Sequence, residues 1–344
     1  MHDSASNGSP SRKNWQAILA PYQTPKLSSS LWQIVNTFTP FIALLYLMYL
    51  SLGVSYWLTL LLSIPTGGLL TRIFILFHDC GHGSFFTSQR ANNIVGIICG
   101  LVVFTPYYQW RYDHAIHHAT SGDLDRRGTG DITTLTIKEY LALSRWGRLK
   151  YRLYRSPVVL LGFGPWYNFV ISQRFISPNS RRRERMSVHF SNAAIVVLLI
   201  IMWATIGIPA FLLIYLPVAF FGGLGGIWLF YVQHQFEGTY WATHDEWDYA
   251  TAALQGSSYF KLPKVLQWFT GNIGFHHIHH LSARIPNYAL QRCMMENPEF
   301  MDVTTITLRS SLKSLRLNLW DEDQRQLVSF GYLKQLSRQQ QRMA

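Results

Sequence analysis

Eight histidines fall in three tight groups: His78 and His82 in the spacing H-x3-H, His114, His117 and His118 in H-x2-H-H, and His276, His279 and His280 in a second H-x2-H-H. Imidazole is the commonest protein ligand for transition metals, and residues three and four apart share one face of a helix. Each group can therefore aim its rings at a common point. Eight aimed rings exceed what one ion accepts, since zinc takes about four ligands and non-haem iron rarely more than six. The arithmetic favours two metals sharing the set. An all-nitrogen shell suits iron, copper or zinc, and ligand type alone leaves that choice open.

The elements that must position these rings are membrane helices. In a chain of 344 residues, 49% apolar and 15% aromatic content against 14% charged sets it apart from ordinary soluble domains. Three scattered cysteines, Cys80, Cys99 and Cys293, imply no disulfide framework. From Leu31 to Phe77 only Arg72 carries charge, and Val188 to Gln235 carries none. Each run is long enough for two spanning helices. The expected fold is an all-α integral membrane protein with four transmembrane helices in two hairpins. The spans are placed at 31–50, 54–77, 188–207 and 210–233, after a cytosolic N-terminal tail at 1–30 with one interfacial turn near Trp15 to Ala20. A cytosolic helical cap, 78–187 and 234–344, carries the histidines. The second span, Val54 to Phe77, would be roughly 36 Å long against a hydrocarbon core of about 30 Å, so His78 and His82 would stand on a post projecting from the lipid.

Charge placement orients this arrangement. Three Lys/Arg precede Leu31, fifteen lie between Phe77 and Val188, eleven follow Gln235, and the two turns facing the other way have none. By the positive-inside rule, both termini and all three histidine groups are cytoplasmic at the cell membrane. The net charge of +12 is then topological and lipid-facing, and no nucleic-acid partner is implied. The same logic settles Asn93 to Trp110, apolar enough to cross. A crossing there would put His114 on the opposite side from His82, so it is read as an in-plane or re-entrant helix stopped near Pro106. Val158 to Ile171, broken by Gly162, Gly164 and Pro165, is read as a second surface-lying piece.

Single residues carry two readings each. His277 turns roughly 100° from His276 on a helix and is assigned a supporting or stacking role. His2, His189 and His244 lie outside every group. Asn272 is either a weak or water-mediated ligand or a helix-start cap. Asp79, Asp113, Asp123, Asp125, Asp131 and Asp248 are placed to orient ligating rings. Arg126 and Arg127 either grip a lipid phosphate or stay solvated. Gly222, Gly223, Gly225 and Gly226 allow close helix approach or leave a chain-shaped cavity.

The boxes and their surroundings resemble the integral-membrane fatty-acid desaturases and their hydroxylase relatives over most of the chain. The resemblance rests on His78-Asp-Cys-Gly-His-Gly-Ser-Phe-Phe86, the run from His117 to Asp131, Gly256-Ser-Ser-Tyr-Phe-Lys-Leu-Pro263 leading to Gly271-Asn-Ile-Gly-Phe-His-His-Ile-His-His-Leu281, and Arg284-Ile-Pro-Asn-Tyr288. These phrases look most like bacterial acyl-lipid desaturases, in particular the delta-5 type. The resemblance implies two iron ions held by His78, His82, His114, His117, His118, His276, His279 and His280, with His234 as a ninth ligand after the last span. It implies an O2-dependent reaction that introduces a cis double bond into the fatty-acyl chain of membrane phospholipids. With no fused haem or flavin signature in the sequence, a soluble ferredoxin or flavodoxin is the expected electron donor. A lipid, alkane or carotenoid hydroxylase or ketolase would carry the same boxes. A zinc transporter is disfavoured because it needs ionisable residues inside its spans, which are nearly empty of them.

Overall fold

The computed structural model describes residues 15–178, 180–333 and 335. Most of the expected N-terminal tail, His2 and the last nine residues lie outside the described residues. Four helices are long and apolar enough to cross a membrane: α1 (Leu27–Ser51), α2 (Tyr56–His82), and, after the shorter α3 (Gln89–Val102) and α4 (Tyr107–Thr120), α5 (Arg182–Thr205) and α6 (Ile208–His234). The two hairpins appear as expected, with α1 starting four residues early and α5 six. The segment ahead of α1 is packed, not loose. Leu19 and Tyr22 are buried, Trp15 stacks on Phe300, and the Tyr22 hydroxyl donates to Glu296 at 2.7 Å.

The inner pair, α2 and α6, forms the axis of the bundle. Small residues let their backbones touch: a Cβ added to Gly67 would stand 2.5 Å from the Phe221 Cβ, and one on Gly222 only 3.0 Å from the Leu70 Cβ. The Thr71 hydroxyl crosses this seam to the Gly222 carbonyl at 3.1 Å. The glycine quartet thus serves close approach, while Gly222, Gly223 and Gly226 also border an apolar cleft with Phe74, Phe169 and Tyr215. The outer helices α1 and α5 turn Trp32, Tyr46, Val196 and Trp203 outward, as lipid-facing helices do.

Arg72 is the exception among the apolar spans, and it is fully employed. Nε donates to the Thr37 hydroxyl on α1 at 3.0 Å, Nη1 donates to the Trp268 carbonyl, and the guanidinium stacks 4.3 Å from the centre of a Trp268 ring. It pins the segment leading to the third histidine group against the bundle. Replacing it by leucine would strand a buried hydroxyl and a carbonyl. The expected cost is about 2–3 kcal/mol, read as a lower unfolding midpoint in detergent. An equal midpoint for Arg72→Leu and the wild type would remove this role.

The ambiguous stretch does not cross as one helix. α3 ends at Val102, eight residues before Trp110, and α4 departs at 101° to it after a break at 103–106. Phe104 takes φ +54° in that turn, and Pro106 sets the start of α4. The second histidine group rides on α4 and not beyond an apolar helix. Residues 158–171 form wide π-helical turns on either side of one short α-helical turn, packed against α6 with Val158, Phe163 and Tyr167 exposed, which fits a surface-lying piece. The third histidine group opens the short α7 (His276–Leu281), followed by α8 (Asn287–Glu296). The cap also contains short strands that the sequence reading did not anticipate. β1 (Leu135–Thr136) pairs parallel with β4 (Leu319–Asp321), which pairs antiparallel with β5 (Gln326–Val328), while β2 (Tyr259–Lys261) pairs parallel with β3 (Thr305–Thr307).

Candidate metal centre

The three histidine groups and His234 meet at one end of the bundle and sort into two sets. One ring nitrogen from each of His78, His82, His114, His118 and His279 lies within 4.8 Å of the others, and the same holds for His117, His234 and His280. His276 joins the second set: its Nε2 stands 3.0 Å from Nε2 of His234 and 3.1 Å from Nε2 of His280. In the first set, Nε2 of His118 stands 3.2 Å from that of His114 and 3.1 Å from that of His279. Such spacings match the edges of a coordination polyhedron, about 3.0–3.4 Å for nitrogens held roughly 2.1 Å from an ion. The sets adjoin where the His118 and His280 rings stack at 4.2 Å.

The helices explain the partition. His114 and His118 are one turn apart and belong together, whereas the adjacent His117 and His118 diverge by about 100°. α4 therefore stands between the sets and feeds both. α7 does the same, with His279 to the first set and His276 and His280 to the second. The expectation that each group aims at one point is corrected here: only the first group does so, and the doubled H-H pairs are what divide the other two. His78 and His82 emerge on the last turn of α2, which Gly83 ends in the left-handed region at φ +70°.

The environment suits neutral ligands. Burial above all, and then the neighbouring imidazoles, hold His114, His118, His276, His279 and His280 well below the ordinary imidazole value, so their lone pairs are free at neutral pH. Nε2 of His82 is buried with no hydrogen-bond partner among the described residues. An orphaned polar atom costs about 1–3 kcal/mol, which a cation in the set would offset. The donor set therefore fits metal ions, two in number.

Surrounding groups fix the ring directions. Asp131 accepts from Nδ1 of His117, and Gly130, at φ +70° with a notional Cβ 3.2 Å from the His117 Cβ, lets that loop come close. The Gly256 carbonyl faces Nδ1 of His234 at 3.3 Å. Asp79 lies 3.2 Å from Nδ1 of His78 and accepts from the backbone and side-chain nitrogens of Asn287 at 2.7 and 2.8 Å. Asn287 in turn accepts from Gln33 at 2.7 Å, which ties the first histidine group to α1 and α8. Trp110 stacks on His114 at 4.3 Å and 22°. The sequence places Trp110 in the headgroup belt and Asn287 only within the Arg284–Tyr288 phrase, whereas the structure sets both beside the first histidine set.

Other candidates have different duties. Asp123 receives Arg126 Nε at 2.6 Å and faces His244 Nδ1 at 2.9 Å, while Asp125 accepts from the His244 amide. These four residues brace the 121–131 loop, and their bonds are to one another and not to a ring of either set. Asp248 caps Tyr249–Gln255. Burial pushes the Asp113 carboxyl up from its ordinary value. Arg127 pairs with Glu139, so neither arginine of that dipeptide is free for a lipid phosphate. Asn272 does not cap α7, whose N-cap is Phe275: in the left-handed region at φ +58°, it accepts from Gln267 at 2.8 Å and donates to the Asn287 carbonyl at 3.3 Å. His277 is buried beside Tyr259, pushed down to about 4 by burial, and belongs to neither set. His189 is exposed.

Four apolar spans capped by paired pockets of imidazoles able to hold metal define a class of integral-membrane protein with a candidate metal centre. Comparison with known proteins makes the class specific. The fatty acid desaturase family matches residues 16–310. A fatty acid desaturase of Bacillus subtilis (strain 168) is 49% identical over 318 residues, covering 92% of this chain and 90% of that protein. An sn-1 oleoyl-lipid 12-desaturase of Picosynechococcus sp. is 28% identical over 265 residues, with 71% and 70% coverage. An oleoyl-12-hydroxylase of Ricinus communis is 27% identical over 284 residues, with 76% and 69% coverage. The chain belongs to the fatty acid desaturase family.

Proposed function

We propose that this protein is an O2-dependent di-iron desaturase that introduces a cis double bond into the fatty-acyl chains of membrane phospholipids, with delta-5 position as its regioselectivity. The carrying observation is the pair of adjoining imidazole sets at the end of an apolar bundle. His78, His82, His114, His118 and His279 would hold one iron, and His117, His234, His276 and His280 the other. Iron supplies what zinc lacks, the redox capacity to reduce O2 to a species able to take hydrogen from an unactivated methylene. The chain's own residues do the rest. Asp131, Asp79 and the Gly256 carbonyl hold ring directions, and burial keeps the His114, His118, His276, His279 and His280 imidazoles neutral. The apolar walls contributed by α2 and α6 exclude water and let placement alone choose among chemically alike methylenes.

The reaction consumes O2, two electrons and two protons, takes two hydrogens from neighbouring carbons, and yields the alkene and two waters. A soluble acidic ferredoxin or flavodoxin at the basic face supplies the electrons. We place that face, both termini and the metals on the cytoplasmic side of the cell membrane, on the strength of the lysine and arginine distribution. A hydroxylase reading has one supporting observation, the Ricinus communis relative.

The test is the lipid profile of a bacterium lacking such unsaturated chains, grown aerobically with and without the protein, with double bonds located by mass spectrometry. A new monoene that disappears without O2 supports desaturation and fixes its position. A hydroxylated product would move the assignment to the sister chemistry. No product in cells that contain the metal-loaded protein and a competent donor would reject both.

A further inference from the structure

A second feature opens directly beside the first imidazole set. A pocket floored by His82, His114 and Trp110 carries Tyr108, Arg111 and Arg183 on its walls. Tyr108 and Arg183 also border an apolar groove between α3 and α5, lined by Ile97, Leu101, Met186 and Phe190. The two therefore adjoin across the Tyr108–Arg183 pair, polar at the candidate metal ligands and apolar along the spanning helix. The Arg183 guanidinium lies 3.9 Å from the centre of the Tyr108 ring, and Arg181 stands 5.7 Å over Tyr112, another wall residue. Arg111 donates to Asn93 at 3.3 Å. Neither Arg111 nor Arg183 has a carboxylate partner among the described residues, whereas Arg126, Arg127 and Lys138 after the second histidine group each do. Glu184 also borders the pocket, but it is buried, so arginines dominate the open wall.

We infer that this composite groove binds the phosphate of a glycerophospholipid between Arg111 and Arg183, with one of its acyl chains along Ile97, Leu101, Met186 and Phe190. A planar guanidinium presents paired donors matched to phosphate oxygens, and its stacking on Tyr108 pre-orders it. The groove lies at the end of spanning helices, where headgroups sit, so a lipid reaches it by lateral diffusion. A soluble protein would have no use for the apolar half. The inference rests on the acyl-lipid reading and adds to it: the enzyme selects substrates that carry a phosphate headgroup over neutral lipids with the same chains.

The experiment uses the full-length metal-loaded protein in lipid nanodiscs containing a trace of phosphatidylglycerol with a diazirine in one acyl chain. A diacylglycerol bearing the same chain is run in parallel, and labelled peptides are mapped. Preferential labelling of the segments at 97–101 and 186–190 by the phospholipid is expected, by roughly tenfold over diacylglycerol. The Arg111→Gln/Arg183→Gln double variant should fall to the diacylglycerol level with metal content unchanged, and Arg183→Lys, which keeps the charge, should retain part of the preference. Equal labelling by the two lipids, or a preference untouched in the double variant, would overturn the site. So would a double variant that keeps its lipid label but is reduced more slowly by an acidic carrier, because the cationic wall would then serve a protein donor. Labelling needs no turnover, so a labelled protein that makes no unsaturated lipid defeats the desaturase proposal and leaves this site standing.

Discussion

A His279→Ala variant should retain about one metal per chain where the wild type holds about two, and should lose at least about a thousandfold in turnover. His279 is the contribution of α7 to the first set, and its Nε2 lies 3.1 Å from that of His118 while its ring packs 4.5 Å from that of His78. Removing it takes one of five donors and leaves the second set whole. The spans are untouched, because α7 lies outside them, so insertion and expression should match the wild type. His276→Ala should do the same to the other ion, since its Nε2 bridges His234 and His280. Two controls separate ligation from general damage. His244 braces the 121–131 loop with an imidazole half exposed, and its alanine variant should keep both metals. His277 is fully buried beside the sets, and its variant should lower thermal stability without changing metal stoichiometry. Metal analysis paired with turnover decides the matter: full loading and activity in His279→Ala would remove it from the centre, and loss of both ions in His277→Ala would mean that packing, not ligation, governs loading.

The sequence made some of this legible because the physics involved is local. Charge-free runs of bilayer length yielded four spans to within a few residues, and the lysine and arginine distribution required the histidine groups to share a side, as they do here. The same requirement reads Asn93 to Trp110 as an in-plane or re-entrant piece, and the structure bends the chain by 101° at residues 103–106. What stayed hidden depends on contacts distant in sequence. Asn287 acts on box one across 208 residues through Asp79, and nothing local to either residue marks the pair. One strand pairing of the cap joins residues 184 apart, Leu135 with Leu319. Asn272 would share a face with His276 only if the residues before α7 were helical, whereas they form a turn in which Asn272 takes φ +58° and its side chain meets Gln267 and Asn287. The six aspartates near the boxes looked equivalent in sequence. Their loop geometry distinguishes them, placing Asp131 on a ring nitrogen and Asp123 on an arginine.

That distinction yields the second large effect. An Asp131→Ala variant should lose about 10- to 100-fold in metal retention at the second set, with a matching loss of activity, while an Asp123→Asn variant keeps its metal. Asp131 accepts from Nδ1 of His117, which commits the proton to that nitrogen and leaves Nε2, 3.3 Å from Nε2 of His234, with its lone pair toward the set. Without the carboxylate, His117 can take the opposite tautomer and rotate, and the negative charge that strengthens its basicity is gone. Asp131→Asn should fall between alanine and wild type, because the amide oxygen still accepts but carries no charge. The effect should be confined to one ion: after a timed chelator challenge, Asp131→Ala should keep the metal held by the five-histidine set and release the other. Asp123→Asn weakens the brace between Arg126 and His244 yet touches no ring, so it tests whether loop integrity alone accounts for the loss. Equal metal release from the two variants would assign the effect to the loop. Release from Asp131→Ala alone, with Asn partly restoring retention, would show that the carboxylate acts through the His117 ring.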